Sequence, residues 1–477
     1  MLFFPKKINN KLIRKIILIL FFLVIFIFLI SLSLQRYFIG QLYFYDFGIF
    51  SQILWRLSRF SYPYINHLVL GKVNFLGDHF QPSLILLTPF YWISSSISIL
   101  SIQQALVSFG SIILIYLISK KYKLSFVASL IISSAFLIFS GTLNPLLTDW
   151  HPESTAGLFL LLFYYFFTFT NKNIISILLL IIFLGFKESN SITAFFLLVY
   201  MFFTLKNKRK LICILLLTCV FWFFITTRFL IPGISHSFYL YNPEISLNPQ
   251  VVFKSIIEKP QKIELAFRSL ISFGFIPILS GLAIIPIIGE LAIRIFPTKS
   301  IFENFTLGFH HNVYLGIALT ISTIIGIAYW KKRLGKKYRI ELFLCVLLLF
   351  SALITGRKLT YSPMNMAISP IFWKELKPNK EFFEFINKIP KNGTVMSQNN
   401  VLAYVSNRTD DLYYLNRQYW IKKPDIITFD LTPGQNPNNF YESAPESILE
   451  VRDSLMKNKS YRLYFEKNGR YIFIKFK

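Results

Sequence analysis

Acidic residues and histidines occur close together at three places in this chain of 477 residues. They are Asp46, the pair Asp78 and His79, and the run Asp149, His151 and Glu153. Side chains of these types can remove a proton, orient a hydroxyl group or bind a divalent cation. The three groups therefore predict a reaction or ligand site, provided that the fold brings them together.

Asp46 is the first candidate. It lies among aromatic residues just past the first long apolar segment, where a carboxylate is costly unless it has a partner or a function. We expect Asp46 to act as a general base that takes a proton from an acceptor hydroxyl group during group transfer. The alternative is that Asp46 caps the N-terminus of the helix that follows it.

The other two acid–histidine groups are predicted to bind substrate. Asp78 either orients His79 or binds a substrate hydroxyl group, and the alternative is a hydrogen bond within the loop. Asp149, His151 and Glu153 alternate along the chain. If the proline between the last two keeps the segment extended, the three side chains point the same way. They would then bind sugar hydroxyl groups or a divalent cation.

Charged residues further along the chain add candidates. Lys187 and Glu188 interrupt a strongly apolar run, and charges inside membrane bundles are costly. Lys187 is predicted to face a phosphate and to supply the positive charge that an anionic leaving group requires, with Glu188 beside it. The alternative is an ion pair between these two residues. Arg56, His310 and His311 are further predicted substrate contacts.

Composition places these residues in a membrane protein. The chain is 54% hydrophobic and 18% aromatic, with only 15% charged residues, which is typical of multi-span membrane proteins. The formal charge of +27 comes from short basic runs between apolar segments, as the positive-inside rule produces. We therefore predict no nucleic-acid partner. The three cysteines lie in apolar stretches without a disulfide or metal-binding spacing.

The basic runs fix a predicted topology of about eleven transmembrane helices with a cytoplasmic N-terminus. Residues 1–355 are predicted to form the transmembrane domain, with an outer loop at 33–97 that carries surface helices at 47–60 and 82–93. The alternative for 82–93 is a transmembrane segment. Residues 356–477 are less hydrophobic, contain strand patterns and a hairpin signal, and are predicted to form a small extracytoplasmic α+β domain. In this topology the acid–histidine groups all face the outer side of the membrane.

Several segments resemble a family of multi-span membrane proteins of unknown function that is grouped with the GT-C glycosyltransferases. These segments are residues 45–55, 74–82, 149–153 and 185–188, with weaker similarity at 310–311 and 398–408. The resemblance implies a lipid-phosphate-linked sugar donor and an active site that faces away from the cytoplasm. It also implies an acidic residue in the first outer loop that acts as base or binds metal, which is the place of Asp46. Asp149 lies in the second outer loop, where the family often has another functional acid.

Asp46 departs from the family pattern because its loop contains no Asp-x-Asp or Glu-x-Asp pair. This favours a mechanism without metal, and a divalent cation remains the one possible cofactor. The sequence thus predicts an integral membrane glycosyltransferase of hexosyl or pentosyl groups. It would use a polyprenyl-phosphate sugar donor, with a glycan, lipid or protein as acceptor, on the extracytoplasmic side and among membrane lipids. The alternatives are a transporter or lipid flippase, and a non-catalytic membrane assembly protein.

Overall fold

The computed structural model describes residues 10–67, 70–299, 305–335, 339–359, 363–416, 419–441 and 445–476. Helices dominate the first three quarters of the chain. They are α1 (Asn10–Phe38), α2 (Ile49–Ser58), α3 (Phe90–Ile93), α4 (Ser98–Lys121), α5 (Phe126–Ile138), α6 (Ser140–Thr148), α7 (Pro152–Phe169), α8 (Asn173–Leu184), α9 (Asn190–Thr204), α10 (Arg209–Ile225), α11 (Ile231–Ser235), α12 (Pro249–Glu258), α13 (Pro260–Ser272), α14 (Ile285–Ile295), α15 (Asn312–Leu334) and α16 (Ile340–Ile354). Strands β1 (Tyr64–His67) and β2 (Gly71–Asn74) form an antiparallel hairpin between α2 and α3.

Shorter helical turns link these elements. Five-residue π-helical turns are found at Phe44–Gly48, Thr226–Leu230 and Thr355–Leu359. Turns of 3₁₀ helix are found at Phe75–Gly77, Pro82–Leu87, Lys206–Lys208 and Ile276–Ile284. We call the first π-helical turn the Asp46 turn.

Six helical segments within the described residues are long and apolar enough to cross a membrane. They are Lys11–Phe38, Ser98–Lys121, Lys206–Ser235, Ile276–Ile295, Asn312–Leu334 and Ile340–Lys358. Helices α5 and α6, bent by 51° at their break, would make a seventh. The predicted class of a helical multi-span membrane protein is thereby confirmed. The predicted total of about eleven also counted shorter apolar helices such as α8 and α9, which are shorter than the roughly 20 residues that a straight crossing needs.

Helices α8 and α9 form the predicted hairpin, and its tip carries Lys187 and Glu188. The Ser83 backbone N–H donates to the Gly185 carbonyl at 2.8 Å. A Cβ atom on Gly185 would collide with the Ser83 hydroxyl group, so glycine lets the hairpin tip approach the loop that carries Asp78 and His79. The sequence thus permits two distant segments to meet at the site.

The predicted surface helix at 47–60 corresponds largely to α2, but two residues of its polar face are buried. Gln52 and Arg56 are 3% and 1% exposed. Gln52 donates to the Asp410 carbonyl, and Arg56 donates to the Thr409 and Asp410 carbonyls. The C-terminal part of the chain covers Gln52 and Arg56, whereas Arg59, on the same predicted polar face, is exposed.

The C-terminal part, which we call the tail, is an α+β region, as predicted. Its helices are α17 (Pro363–Ala367), α18 (Pro370–Lys374), α19 (Lys380–Lys388), α20 (Asn399–Tyr404), α21 (Tyr419–Lys422) and α22 (Pro445–Lys457), with a 3₁₀ turn at Pro437–Phe440. Its strands are β3 (Val395–Ser397), β4 (Leu412–Tyr414), β5 (Ile426–Asp430), β6 (Tyr461–Lys467) and β7 (Arg470–Lys475), in the sheet order β4-β3-β5-β7-β6. Strand β3 is parallel to β4 and β5, and β7 is antiparallel to β5 and β6. Asn468 and Gly469, both at positive φ, form the predicted turn between β6 and β7.

Candidate active site

The Asp46 turn connects α1 to α2. A 3.0 Å hydrogen bond from the Gly48 N–H to the Tyr43 carbonyl closes it. The residues that flank the two helical elements as N-caps are Tyr43 and Gly48, and neither cap uses a side-chain hydrogen bond. The alternative that Asp46 serves as a helix cap therefore finds no support, and its carboxylate is left for another purpose.

Asp149 and His151 follow the end of α6 in extended conformation. Pro152 then occupies the first position of α7, where its fixed φ suits a helix and its missing N–H costs nothing. Glu153 consequently lies in the first helical turn. The expectation that Pro152 keeps the run extended through Glu153 is wrong, so the alternation of three side chains on one side ends at His151.

Two groups of possible metal ligands result, and they share His151. Asp46, Asp149 and His151 have ligand atoms that all lie within 4.8 Å of one another, as do His151, Glu153 and His310. The predicted set of Asp149, His151 and Glu153 is not among the groups found in the described residues. The rings of His151 and His310 stack with centroids 3.6 Å apart, which joins the two groups into one site.

Glu153 is the centre of the second group. Its carboxylate is 3% exposed, and its Oε1 atom lies 3.1 Å from Lys187 Nζ and 3.1 Å from His311 Nδ1. His310 Nε2 is 3.7 Å from the same oxygen. Lys187 therefore pairs with Glu153, at the start of α7, and does not form the alternative ion pair with its neighbour Glu188.

Glu188 pairs instead with the Asp78–His79 loop. His79 Nδ1 lies 2.8 Å from Glu188 Oε1, and the Phe80 N–H donates to Oε2 at 3.1 Å. The Tyr239 hydroxyl group donates to the same carboxylate at 2.8 Å. Glu188 is fully buried, so these partners replace the water that a carboxylate would otherwise require.

Tyr239 and Tyr241 come from the segment after α11, which the sequence did not single out. The Tyr241 hydroxyl group donates to Asp78 Oδ1 at 2.6 Å, and its ring stacks on His79 with centroids 4.1 Å apart. The two tyrosines thus hold both acids of the Asp78–Glu188 side. Alternating aromatic residues in a polar loop were the available sequence signal, but such loops are common.

The acids at this site fall into two electrostatic classes. We call Asp46 and Asp149 the acid pair, and Glu153 and Glu188 the bridged acids. Burial raises the pKa of Asp46, and the charge of Glu153 adds to that effect against the opposing influence of His151. Burial also raises the pKa of Asp149 well above its usual range, with the Asp46 charge acting in the same direction. Two neighbouring carboxylates of this kind favour a shared proton or a bound cation.

The bridged acids have the opposite tendency. Burial alone would raise the pKa of Glu188, but the charge and hydrogen bond of His79 outweigh it and lower that pKa to about 2. Burial, with the Lys187 charge next in importance, lowers the pKa of His311 to about 3. At neutral pH the Glu188 carboxylate is therefore ionised, and the His311 ring is neutral.

Arg36, at the end of α1, is a cation of this site that the sequence did not single out. Its guanidinium group donates to the Leu147 carbonyl at 3.0 Å and to Gln41 Oε1 at 2.9 Å. Together with Asp149, Arg36 lines a small depression between α1, α4 and α6. Both acceptors are uncharged, so neither hydrogen bond neutralises the positive charge of Arg36. An arginine that ends the first apolar span was the available signal.

The structure brings together ten of the predicted site residues. They are Asp46, Asp78, His79, Asp149, His151, Glu153, Lys187, Glu188, His310 and His311. Arg56, the remaining candidate, lies apart from them. Its guanidinium group is stacked 3.7 Å from the Tyr64 ring centroid and 3.6 Å from Asp411, against the tail. We therefore do not propose Arg56 as a substrate contact, since its two terminal nitrogen atoms donate to the Tyr64 carbonyl and to the carbonyls of Thr409 and Asp410 in the tail.

The sequence argument for a mechanism without metal no longer holds once the structure is considered. It depended on the absence of an Asp-x-Asp or Glu-x-Asp pair in the loop of Asp46, which left Asp46 without an acidic partner nearby in the sequence. The structure supplies that acid from another loop, because Asp149 and His151 meet Asp46 within 4.8 Å. Two carboxylates and an imidazole are suitable ligands for Mn²⁺ or Zn²⁺, so these residues can hold a cation.

The overall fold has a counterpart among solved structures. The fold is similar to that of ArnT from Cupriavidus metallidurans, whose crystal structure is of the apo state. The TM-score is 0.51 at 11% sequence identity, and the alignment covers 94% of this chain and 97% of ArnT. At this identity the similarity concerns the fold alone. No curated protein sequence matches the chain.

The sequence itself matches a protein family described as predicted membrane protein (DUF2079), over residues 38–472. The match extends over most of the chain and includes all ten residues that converge at the site. The chain belongs to the DUF2079 family of predicted membrane proteins.

Proposed function

We propose that this protein is a membrane glycosyltransferase that moves a sugar from a polyprenyl-phosphate-linked donor to an acceptor at the extracytoplasmic face. The ArnT-like fold supports the reaction class. The observation that carries the proposal is the acid pair, in which Asp46 and Asp149 meet beside His151. The salt bridges of Lys187 and His79 are formed with the neighbouring acids Glu153 and Glu188.

Asp46 is the base in this proposal. An acceptor hydroxyl oxygen attacks the anomeric carbon, the bond from that carbon to the phosphate oxygen breaks, and the hydroxyl proton passes to Asp46. The phosphate leaves with the bonding electrons as polyprenyl phosphate. A raised pKa suits this role, because a general base is most effective when its pKa lies near the working pH.

The departing phosphate needs positive charge, and two cations are available. Lys187 lies 3.1 Å from Glu153, so its charge is largely compensated before any donor arrives. Arg36 bonds to a carbonyl and an amide oxygen and lies in the same depression as Asp149. We therefore assign the phosphate contact to Arg36. Lys187 then serves to hold Glu153 and the histidines in place.

The remaining acids and histidines are proposed to bind the sugar and the acceptor. Asp78, His79 and Glu188 already interact with the rings and hydroxyl groups of Tyr239 and Tyr241. Aromatic faces beside carboxylates suit a sugar ring, which offers C–H groups to the aromatic face and hydroxyl groups to the acids.

The test compares Asp46→Asn with Asp453→Asn in the full-length protein, reconstituted in lipid nanodiscs with a radiolabelled polyprenyl-phosphate hexose. Asp453 lies on the exposed surface of α22 and serves as the matched control. We expect Asp46→Asn to lose transfer by a factor of about 10² to 10⁴, the usual contribution of a general base. The control should keep wild-type activity, and both variants should bind polyprenyl phosphate.

Two results would contradict the proposal at different levels. Wild-type transfer by Asp46→Asn would exclude Asp46 as the base. Absence of transfer by the wild-type protein from polyprenyl-phosphate hexoses and pentoses, together with movement of these lipids between bilayer leaflets in proteoliposomes, would favour a flippase instead.

A further inference from the structure

The tail reaches the Asp46 turn directly. Asn399, at the start of α20 and fully buried, accepts two hydrogen bonds through its side-chain Oδ1 atom. The donors are the backbone N–H groups of Phe44, at 2.8 Å, and of Tyr45, at 3.3 Å. The side-chain amide of Asn399 in turn donates to the Asn438 carbonyl at 3.0 Å, which fixes its orientation within the tail.

These two donors are the ones that a helical turn leaves open at its N-terminus. The first N–H groups of any helix lack a partner within it, and asparagine is among the best residues to satisfy them. Tyr43, the residue at the local cap position, makes no side-chain hydrogen bond to the turn. Asn399 therefore provides from the tail the cap that the local sequence lacks.

A second contact places the same turn against the same helix. A Cβ atom on Gly48 would lie 3.1 Å from the Ala403 Cα atom and would collide with the Phe44 ring. Glycine at this position thus lets the backbone of the turn pack directly on α20. The ring of Phe44 also contacts Tyr414 edge to face, with centroids 5.6 Å apart.

We propose that Asn399 is a positioning residue, which caps the Asp46 turn from the tail and thereby fixes the direction of the Asp46 carboxylate. The consequence for catalysis rests on the proposed role of Asp46 as base, whereas the capping itself does not. The tail is then a structural part of the active site, in addition to any contact that it makes with an acceptor.

The first test measures hydrogen–deuterium exchange of the full-length protein in nanodiscs, in peptides that cover residues 42–50. Asn399→Ala removes the acceptor, and we expect exchange in this segment to accelerate about tenfold or more, since each hydrogen bond contributes about 1 kcal/mol. Asn407→Ala is the matched control. Asn407 also joins the tail to the membrane domain, through Ser51 and the Ser95 carbonyl, but it does not touch the turn.

Asn399→Asp is the rescue variant. Buried and facing the Asn438 carbonyl oxygen, the new carboxyl group is expected to be protonated, so that one oxygen accepts from both N–H groups and its O–H group donates to that carbonyl. Its exchange at 42–50 should match the wild type. Unchanged exchange in Asn399→Ala, or equal acceleration in Asn407→Ala, would overturn the proposal. If Asn399→Ala unfolds and exchanges rapidly throughout, Asn399→Asp decides, and loss of protection at 42–50 in that variant would overturn it as well.

The second test separates positioning from binding in the transfer assay. Because the side-chain hydrogen bonds described for Asn399 all go to backbone atoms, Asn399→Ala should lower kcat about tenfold or more and leave the KM for the donor within about twofold. Asn399→Asp should recover most of the kcat. A change confined to KM would overturn the positioning role. Absence of transfer in the wild type would count against the proposed function, and the exchange result would still decide the capping.

Discussion

The acid pair and the bridged acids lie next to each other and are made of the same residue types, yet their electrostatic environments are opposite. Lys187 and two histidines approach Glu153, and His79 approaches Glu188. Asp46 and Asp149 face each other and His151. Burial acts on all four acids, so the difference comes from the partners that the fold provides.

This difference separates structural from reactive carboxylates. A buried acid with a cationic partner is held in its charged form and stabilises the fold around it, whereas removal of either partner leaves an uncompensated charge. An acid held beside another acid prefers to gain a proton or a cation. We therefore expect loss of bridged acids to reduce stability, and loss of the acid pair to reduce activity.

The largest expected effect on stability is that of Glu153→Gln. This change leaves Lys187 buried beside His310 and His311 without a counter-charge, and we expect a loss of about 4 kcal/mol in the free energy of unfolding. Asp149→Asn is the matched control, because asparagine still accepts the 2.8 Å bond from the Trp150 N–H. Thermal denaturation in detergent followed by near-UV circular dichroism measures both. Equal destabilisation by the two variants would remove the distinction between the two classes of acid.

Glu188 extends the comparison to pH. Its pKa is lowered from 4.5 to about 2 in the folded protein, so the ionised form stabilises the fold above pH 4.5. This stabilisation is lost as the pH falls from 4.5 towards 2. The full contribution corresponds to about 3 kcal/mol. The stability difference between wild type and Glu188→Gln should therefore be largest above pH 5 and vanish near pH 2. A difference that is independent of pH between 2 and 6 would contradict this assignment.

The sequence was sufficient to locate the site, but it did not reveal the partners within it. Placing acids and histidines next to apolar segments costs free energy, so these residues stood out as candidates, and ten of them converge in the structure. The pairing depends on the tertiary structure. Glu153 was expected to join Asp149, but Pro152 begins α7 and directs Glu153 towards Lys187.

Contacts between the tail and the rest of the chain were the least predictable part. The tail's α+β character was readable from its strand patterns and from the Asn468–Gly469 turn, although strand β4 was not predicted. The polar residues of α2 suggested exposure to water, since a sequence pattern does not distinguish water from a covering domain. Arg56 and Asn399 both act across that boundary, more than 350 residues apart in sequence from their partners.

Binding of a cation would further distinguish the acid pair from the bridged acids. We expect Mn²⁺ to stabilise the wild-type protein by about 2 kcal/mol at concentrations well above its dissociation constant. Asp149→Asn should abolish the effect, and Glu188→Gln should retain it. Thermal shift and Mn²⁺ electron paramagnetic resonance measure binding. A shift that survives Asp149→Asn but is lost in Glu153→Gln would place the ion at His151, Glu153 and His310 instead, and no shift in the wild type would leave the pair to share a proton.

The smallest expected effect on stability is that of removing a hydroxyl group from Tyr239 or Tyr241. It tests whether Glu188 needs the Tyr239 hydrogen bond in addition to its other partners. Tyr241→Phe keeps the ring stacked on His79 but removes the hydroxyl group that donates to Asp78 at 2.6 Å. We expect a loss of about 1 kcal/mol in the free energy of unfolding. Tyr239→Phe should cost less, because Glu188 keeps its bonds to His79 and to the Phe80 N–H. Thermal denaturation measures both variants. If Tyr239→Phe lowered the free energy of unfolding more than Tyr241→Phe, the buried Glu188 carboxylate would depend mainly on the loop after α11 and less on His79.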